Sequence, residues 1–217
     1  MSEEDWNKSG FPFFNLPAKI ETHVNTGQWQ NRCTEMENGN FTKGSVKLMK
    51  SVLENLTKGC DSQVGPPGNS PSITENAFID PTLDIPRIAD ALAIEVSNGH
   101  MAGPFPINHI LDAKVNGFLS IVKPTGARRQ VGNLSAPKGR SFNEGINPVL
   151  LHEWKVTQTT SKHFSDMISR SGKNSIMSCS DMVSAYKCLP VCIKQRRLQV
   201  FSFPGKEFID LRLIFWR

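Results

Sequence analysis

Apolar residues recur along this chain at two spacings, and the change from one to the other divides it. From Ser45 to Lys58, Val46, Met49, Val52, Leu53 and Leu56 fall on one face of a helix; Ser45 is placed to cap it and Gly59 follows the last turn. A second stripe, Ile85, Ile88, Ala89, Leu92, Ala93 and Val96, predicts a helix from about Pro86 to Asn98, with proline in its first turn and Gly99 as its stop. A third helix is predicted from Ser161 to Arg170, with Phe164, Met167 and Ile168 on one face and Gly172 beyond it. The first forty-odd residues mix Pro, Gly, Asn and scattered aromatics such as Phe11, Phe14 and Trp29 without a period, and read as an irregular lead-in. Residues 61–82, rich in Pro, Gly and Ser, read as a linker.

Strand signals dominate the second half. Residues before proline avoid the helical region, so Gly103-Pro-Phe-Pro106 predicts an extended stretch. Phe118 to Val122 and Gln130 to Leu134 flank Lys123-Pro-Thr-Gly126, where proline suits the second turn position and glycine the fourth; this predicts a short hairpin with Lys123, Arg128 and Arg129 around its tip. Ser175 to Asp181 reads as a buried strand that delivers one carboxylate at its end. Val200 to Phe203, Gly205 and Glu207 to Phe215 read as a last hairpin, with an apolar sheet edge expected near residues 208–215.

Charge sharpens this division. Residues 1–100 carry 8 Lys and Arg against 13 Asp and Glu, whereas residues 101–217 carry 17 against 7, so the overall +5 hides a half-chain of −5 followed by one of +10. A half-chain that basic attracts a polyanion, and a solvated basic surface accounts for the charge equally well. No run approaches the roughly 20 apolar residues of a membrane span, and the acidic start at Met1 to Asp5 is unlike a signal peptide, so a soluble intracellular protein is expected, in nucleus or cytoplasm. The five cysteines are odd in number and read as reduced, buried thiols. Cys188 and Cys192 with His163 form a weaker zinc-like set, because a second close-spaced pair is missing.

The most informative string is Asp181-Met-Val-Ser-Ala-Tyr186, a carboxylate at a predicted strand end with an aromatic five residues on. Upstream stand Gly103-Pro-Phe105, the basic hairpin and Leu134-Ser-Ala-Pro-Lys-Gly-Arg-Ser-Phe-Asn-Glu-Gly-Ile146; downstream stands Phe203-Pro-Gly-Lys-Glu-Phe208. In this order the strings resemble the fingers and early palm of a retroelement reverse transcriptase, nearest to the tyrosine-recombinase (DIRS-type) retrotransposons. The resemblance covers about Gly103 to Arg217 and implies an α+β fold, a partial right-hand polymerase of fingers hairpin and incomplete palm sheet with packed helices over residues 83–217. Residues 1–82 would precede it as a mostly helical or irregular leader.

What the resemblance implies for chemistry is template-directed nucleotidyl transfer by two magnesium ions. Asp181 would be the catalytic carboxylate and metal ligand, and Tyr186 the steric gate against a ribose 2′-hydroxyl. Arg129 and Lys123 would hold the triphosphate of the deoxynucleotide; Arg128, Lys138 and Arg140 would contact the RNA/DNA template-primer. Arg128 and Asn133 depart from the family pattern, which has an aromatic and an acid there. A non-catalytic nucleic-acid-binding module, or a decayed remnant using the basic half, is the alternative. The further Y-x-D-D-like carboxylates do not occur within these residues, and one carboxylate does not clamp two metal ions. The expectation is therefore that the purified 217-residue chain, given primed template, deoxynucleotides and magnesium, extends no primer; measurable extension is the contrary outcome.

Overall fold

The computed structural model describes residues 22, 24–61, 64, 76, 78, 80–110, 112–136, 138, 141–146, 159–178 and 185–213. Within them three long helices precede the sheet: α1 (Thr26–Asn38), α2 (Lys43–Lys58) and α3 (Pro81–Ser97). Then come β1 (Met101–Phe105), β2 (Val115–Val122), β3 (Arg128–Asn133), α4 (Ser161–Ser171), the short α5 (Ile193–Arg196), β4 (Val200–Phe203) and β5 (Lys206–Asp210). The sheet runs β1-β5-β4-β2-β3, antiparallel except for the parallel pair β2 and β4. The protein is thus α+β with a five-stranded mixed sheet.

Alternation along the strands gives the sheet two apolar faces. Phe201, Phe203 and Phe208 point to the face where α3 lies, and there they bury Ile88, Leu92 and Val96 together with Phe118, Leu134 and Phe142. Phe118 stacks on Phe201 at 5.0 Å between ring centroids. Gly132 makes that arrangement possible: a β-carbon there would sit 2.6 Å from Cε1 of Phe201. Val200 and Ile209 point the other way, into a second cluster with Ala102, Phe105, Val115 and Leu211, flanked by Ile110 and Ala113 from the β1–β2 connection. The parallel join is reinforced by Asn116, fully buried, whose side-chain amide donates to the carbonyls of Leu198 and Val200 at 3.2 and 3.0 Å.

Several expectations are corrected. The lead-in contains α1, which buries only Cys33 and Met36 and so shows little period. It is capped by Asn25, whose side chain accepts from the Gln28 N–H. Thr42, not Ser45, caps α2; the Ser45 N–H is the donor that Thr42 satisfies. Helix α3 begins five residues earlier than the stripe implied. Asp80 caps it through the Thr82 and Leu83 N–H groups, and Pro81 takes the first helical position, leaving Pro86 inside the helix. The linker region also contributes fixed points. The Asn76 side chain accepts from the Phe118 N–H, Val64 bridges to Ile146, and Phe78 packs on the core.

Two strand expectations fail outright. Of the strand expected over residues 175–181, residues 175–178 are not a strand, and Ile176 is 98% exposed, with no strand among the described residues paired to them; residues 179–181 lie outside the described residues. The segment near residue 208 is not an edge, since β1 covers β5 and leaves β1 and β3 as the edges. Beyond β5 the backbone continues to pair: Leu211 N–H donates to His100, and Leu213 N–H to Leu189. The hairpin, the extended Gly103-Pro104 stretch and the third helix form as expected, the last as α4 with Thr160 and His163 capping each other's backbone N–H groups. The apolar stripe of α4 faces outward, with Phe164 and Met167 about half exposed. No helix among the described residues is long and apolar enough to cross a membrane.

α2 joins this body through Gly59, whose φ of 83° turns the chain back toward Cys192, so close that a β-carbon would lie 2.5 Å from the Cys192 nitrogen. The Cys60 N–H then donates to the Pro190 carbonyl at 2.7 Å, and the Cys60 carbonyl accepts from the Cys192 N–H at 3.0 Å. Leu92 is fully buried at the centre of the larger cluster, whereas Leu48 on α2 is 68% exposed. Leu92→Ala is expected to lower the unfolding free energy by about 3 kcal/mol in a urea titration. Leu48→Ala is expected to change it by less than about 0.5 kcal/mol.

Candidate nucleic-acid interface

The hairpin closes as its turn chemistry requires. Gly126 N–H donates to the Lys123 carbonyl at 2.8 Å, Lys123 N–H to Ala127 at 2.7 Å, and Val122 pairs with Arg128 as the last rung before the turn. Successive side chains then leave β3 on opposite faces, which separates the two arginines. Arg129 is exposed, level with Ile121, and Lys123 stands exposed one residue beyond the last rung. Arg128 goes inward. One terminal nitrogen of its guanidinium lies 2.8 Å from each oxygen of Asp84 in the first turns of α3.

Asp84 is 1% exposed and receives three kinds of donor. Besides Arg128, the Ser120 hydroxyl donates to Oδ1 at 2.7 Å, and the Asp80 N–H donates to Oδ2 at 2.9 Å. Burial by itself would raise the carboxyl pKa, but the Asp80 N–H, the Ser120 hydroxyl and the Arg128 charge together bring it from its ordinary 3.8 down to about 2. The positive N-terminal end of α3 favours the same charge. Sequence reasoning missed Asp84, although a carboxylate four residues before Ile88 and eight before Leu92, on the buried stripe itself, is a signal that it needs a cationic partner.

A loop carrying Lys138 follows β3. Lys138 is exposed, and the chain is fixed shortly after it: fully buried Phe142 plugs the core, and Lys114 reaches the Ser141 carbonyl at 2.7 Å. Ser141 in turn donates its N–H and hydroxyl to Glu144, each at 3.0 Å. Burial lowers the Lys114 pKa, against the pull of Glu144. Lys123 and Arg129 at one end of β3 and Lys138 beyond the other therefore place cations along an edge strand. Arg140 lies outside the described residues.

Tyr186 is mounted elsewhere, half-exposed on the turn Ala185–Cys188. Its neighbour Lys187 fixes that turn by ion pairs to Asp210 at 2.6 Å and Glu95 at 3.5 Å, and Glu95 also meets His100 at 3.0 Å. Asp210 is held above the ordinary carboxylate range by burial, which outweighs Lys187 and the Arg212 N–H; Lys187 is desolvated, yet Asp210 and Glu95 raise it on balance. Asp84 and Glu95 are 11 residues apart on α3, or about 16 Å along its axis, so the hairpin and the Tyr186 turn are tied near opposite ends of one helix.

The expected metal ligand, Asp181, lies outside the described residues. Among the described residues no group of three His, Cys, Asp or Glu could hold a metal, and Cys188, Cys192 and His163 do not assemble as zinc ligands. Cys33 and Cys192 are buried free thiols, and burial pushes the partly buried Cys60 up to about 11.

Because its folded-state pKa is depressed, Asp84 contributes stability that is complete above the ordinary carboxylate pKa and is lost as pH falls toward 2. Asp210, shifted upward, works with the opposite sign. Acid unfolding followed by circular dichroism should therefore show a loss between about pH 4 and pH 2 that is absent in Asp84→Asn.

No protein-family model matches the sequence, and no curated protein does. Among solved structures the chain is similar to the protease–reverse transcriptase of prototype foamy virus, at 16% identity and a TM-score of 0.42. That match covers 94% of this chain and 26% of the viral chain. A foamy viral protease–reverse transcriptase with double-stranded DNA matches at 13% identity and a TM-score of 0.40, over 95% of this chain and 35% of the other. One with an RNA/DNA hybrid matches at 12% identity and 0.37, over 94% and 27%. The chain thus spans about a quarter to a third of the length of these structures.

Proposed function

We propose that this chain is the nucleic-acid-holding and nucleotide-holding part of a reverse-transcriptase-like polymerase of retroelement origin, nearest to the tyrosine-recombinase type. One observation carries the reading: the β2–β3 hairpin turns one arginine inward as an anchor and leaves Arg129 and Lys123 exposed at its end. A guanidinium binds phosphate oxygens in pairs and stays charged, and an ammonium adds a mobile second cation. In this reading Arg129 and Lys123 take the triphosphate of an incoming deoxynucleotide. Lys138 and Arg140 meet the template-primer backbone, and Tyr186 lies against the sugar. Asp181 supplies a carboxylate to magnesium. What the described residues themselves supply is binding and orientation.

A non-catalytic nucleic-acid-binding module is the second reading, favoured by the separation of the cations from the Tyr186 turn. Both readings require that the basic residues bind a phosphate backbone, and only the first requires nucleotide discrimination. The double variant Lys123→Gln, Arg129→Gln is expected to weaken binding to single-stranded RNA and to reduce the salt slope by about 1.4, two cations at about 0.7 each. An unchanged slope would overturn the second reading; an unchanged slope together with unchanged triphosphate binding would mean that these side chains serve only to blunt the sheet edge, and both readings would fall. Tyr186→Ala is expected to narrow the preference for deoxynucleoside over ribonucleoside triphosphates in magnesium, measured by equilibrium binding. A chain that binds RNA but neither triphosphate is the binding module.

A further inference from the structure

We infer that Arg128 is a positioning residue rather than a phosphate ligand: its ion pair with Asp84 sets the direction in which the hairpin presents Arg129 and Lys123. The inference rests on the proposed function only for what the exposed cations bind, since the anchoring itself is independent of any ligand.

Three observations point the same way. Arg128 meets both oxygens of Asp84 at 2.8 Å, and the side chains of the pair are 18% and 1% exposed. To bind a phosphate instead, Arg128 would have to leave a buried carboxylate without its counter-charge, which is the costly way to open such a pair. Next, Ser120, on the same face of the hairpin and two residues before Val122, donates to Asp84 as well, so both strands are fastened to one carboxylate. Finally, the hairpin has little else to hold it outward of this point. Among the described residues β3 pairs with β2 alone, and residues 121–127 are exposed, Ile121 and Val122 by 46% and 43%. The Asp84 contact is therefore the last fixed point before the cationic tip. The carboxylate is itself placed by the helix start, because the Asp80 N–H that it accepts belongs to the residue capping α3.

The test uses the full chain and two measurements. One is hydrogen exchange; the other is binding to a labelled single-stranded oligodeoxynucleotide from about 50 to about 200 mM salt. In Arg128→Gln, the amides of Leu119 to Ile121 and Arg129 to Val131 should exchange at least about tenfold faster, while those of β4 and β5 stay protected. Affinity should fall with the salt slope unchanged. In Arg129→Gln, exchange should stay as in the wild type and the slope should fall by about 0.7. Asp84→Asn should reproduce the exchange pattern of Arg128→Gln, and the double variant should go no further than either single one. A slope lowered by about 0.7 in Arg128→Gln with the hairpin amides still protected makes Arg128 a phosphate ligand and overturns the inference. Uniformly faster exchange throughout the sheet overturns it too, as a general loss of stability. Should Arg128→Gln not fold, Ser120→Ala removes a single bond to Asp84 and should speed the same amides to a smaller degree; no acceleration there refutes the anchor. If the wild type binds no oligonucleotide, the proposed function falls, and exchange alone decides the role of Arg128.

Discussion

A carboxylate sealed from water at the start of a helix is tolerated only if other groups replace its hydration, and among the described residues three such groups reach Asp84. The Asp80 N–H comes from its own helix, the Ser120 hydroxyl from β2 and the Arg128 guanidinium from β3. Those three partners lie on three segments, so the requirement to satisfy one buried charge fixes the N-terminal end of α3 against both strands of the hairpin. The orientation of the exposed cations follows from this, since Arg129 takes the opposite face of β3 once Arg128 is turned inward.

The sheet provides the frame for that contact. Its phenylalanines on β4 and β5 seat α3, with the ring of Phe201 lying where Gly132 leaves room for it. Apolar burial fastens the middle of α3 through Ile88, Leu92 and Val96, and charge fastens its two ends: Asp84 to the hairpin, Glu95 to Lys187 and His100. The division is physically sensible. Burial is strong but non-directional and sets how closely helix and sheet approach, whereas ion pairs and hydrogen bonds have directions and set which residues face each other. The anchors of the cationic hairpin and of the Tyr186 turn, Asp84 and Glu95, are therefore carried on one helix, about 16 Å apart along it.

Buried charge of both signs recurs in this small core, and two further cations are held by partners from distant segments. Lys114 serves the loop that carries Lys138 through the Ser141 carbonyl, and Lys187 serves the Tyr186 turn through Asp210. Removing one member of such a pair is expected to cost more than the pair contributes, because the remaining charge stays buried. These residues hold the loops whose outward side chains, Lys138 and Tyr186, are proposed to meet phosphate and sugar.

Much of this was determined by the sequence on its own. The spacing of Ile88, Leu92 and Val96 set the buried face of α3, Pro124 and Gly126 set the hairpin turn, and Val200 to Phe203 with Gly205 marked the last hairpin, because these signals depend on neighbours within a few residues. The split of charge between the halves was equally plain. The tertiary structure alone decided that β5 is interior, that residues 175–178 form no strand, and that Arg128 faces Asp84 while Arg129 faces solvent. Strand order and ion pairing join residues far apart in the chain, 44 positions in the case of Arg128 and Asp84. A local pattern shows that a charge is buried; only the folded arrangement shows which opposite charge reaches it.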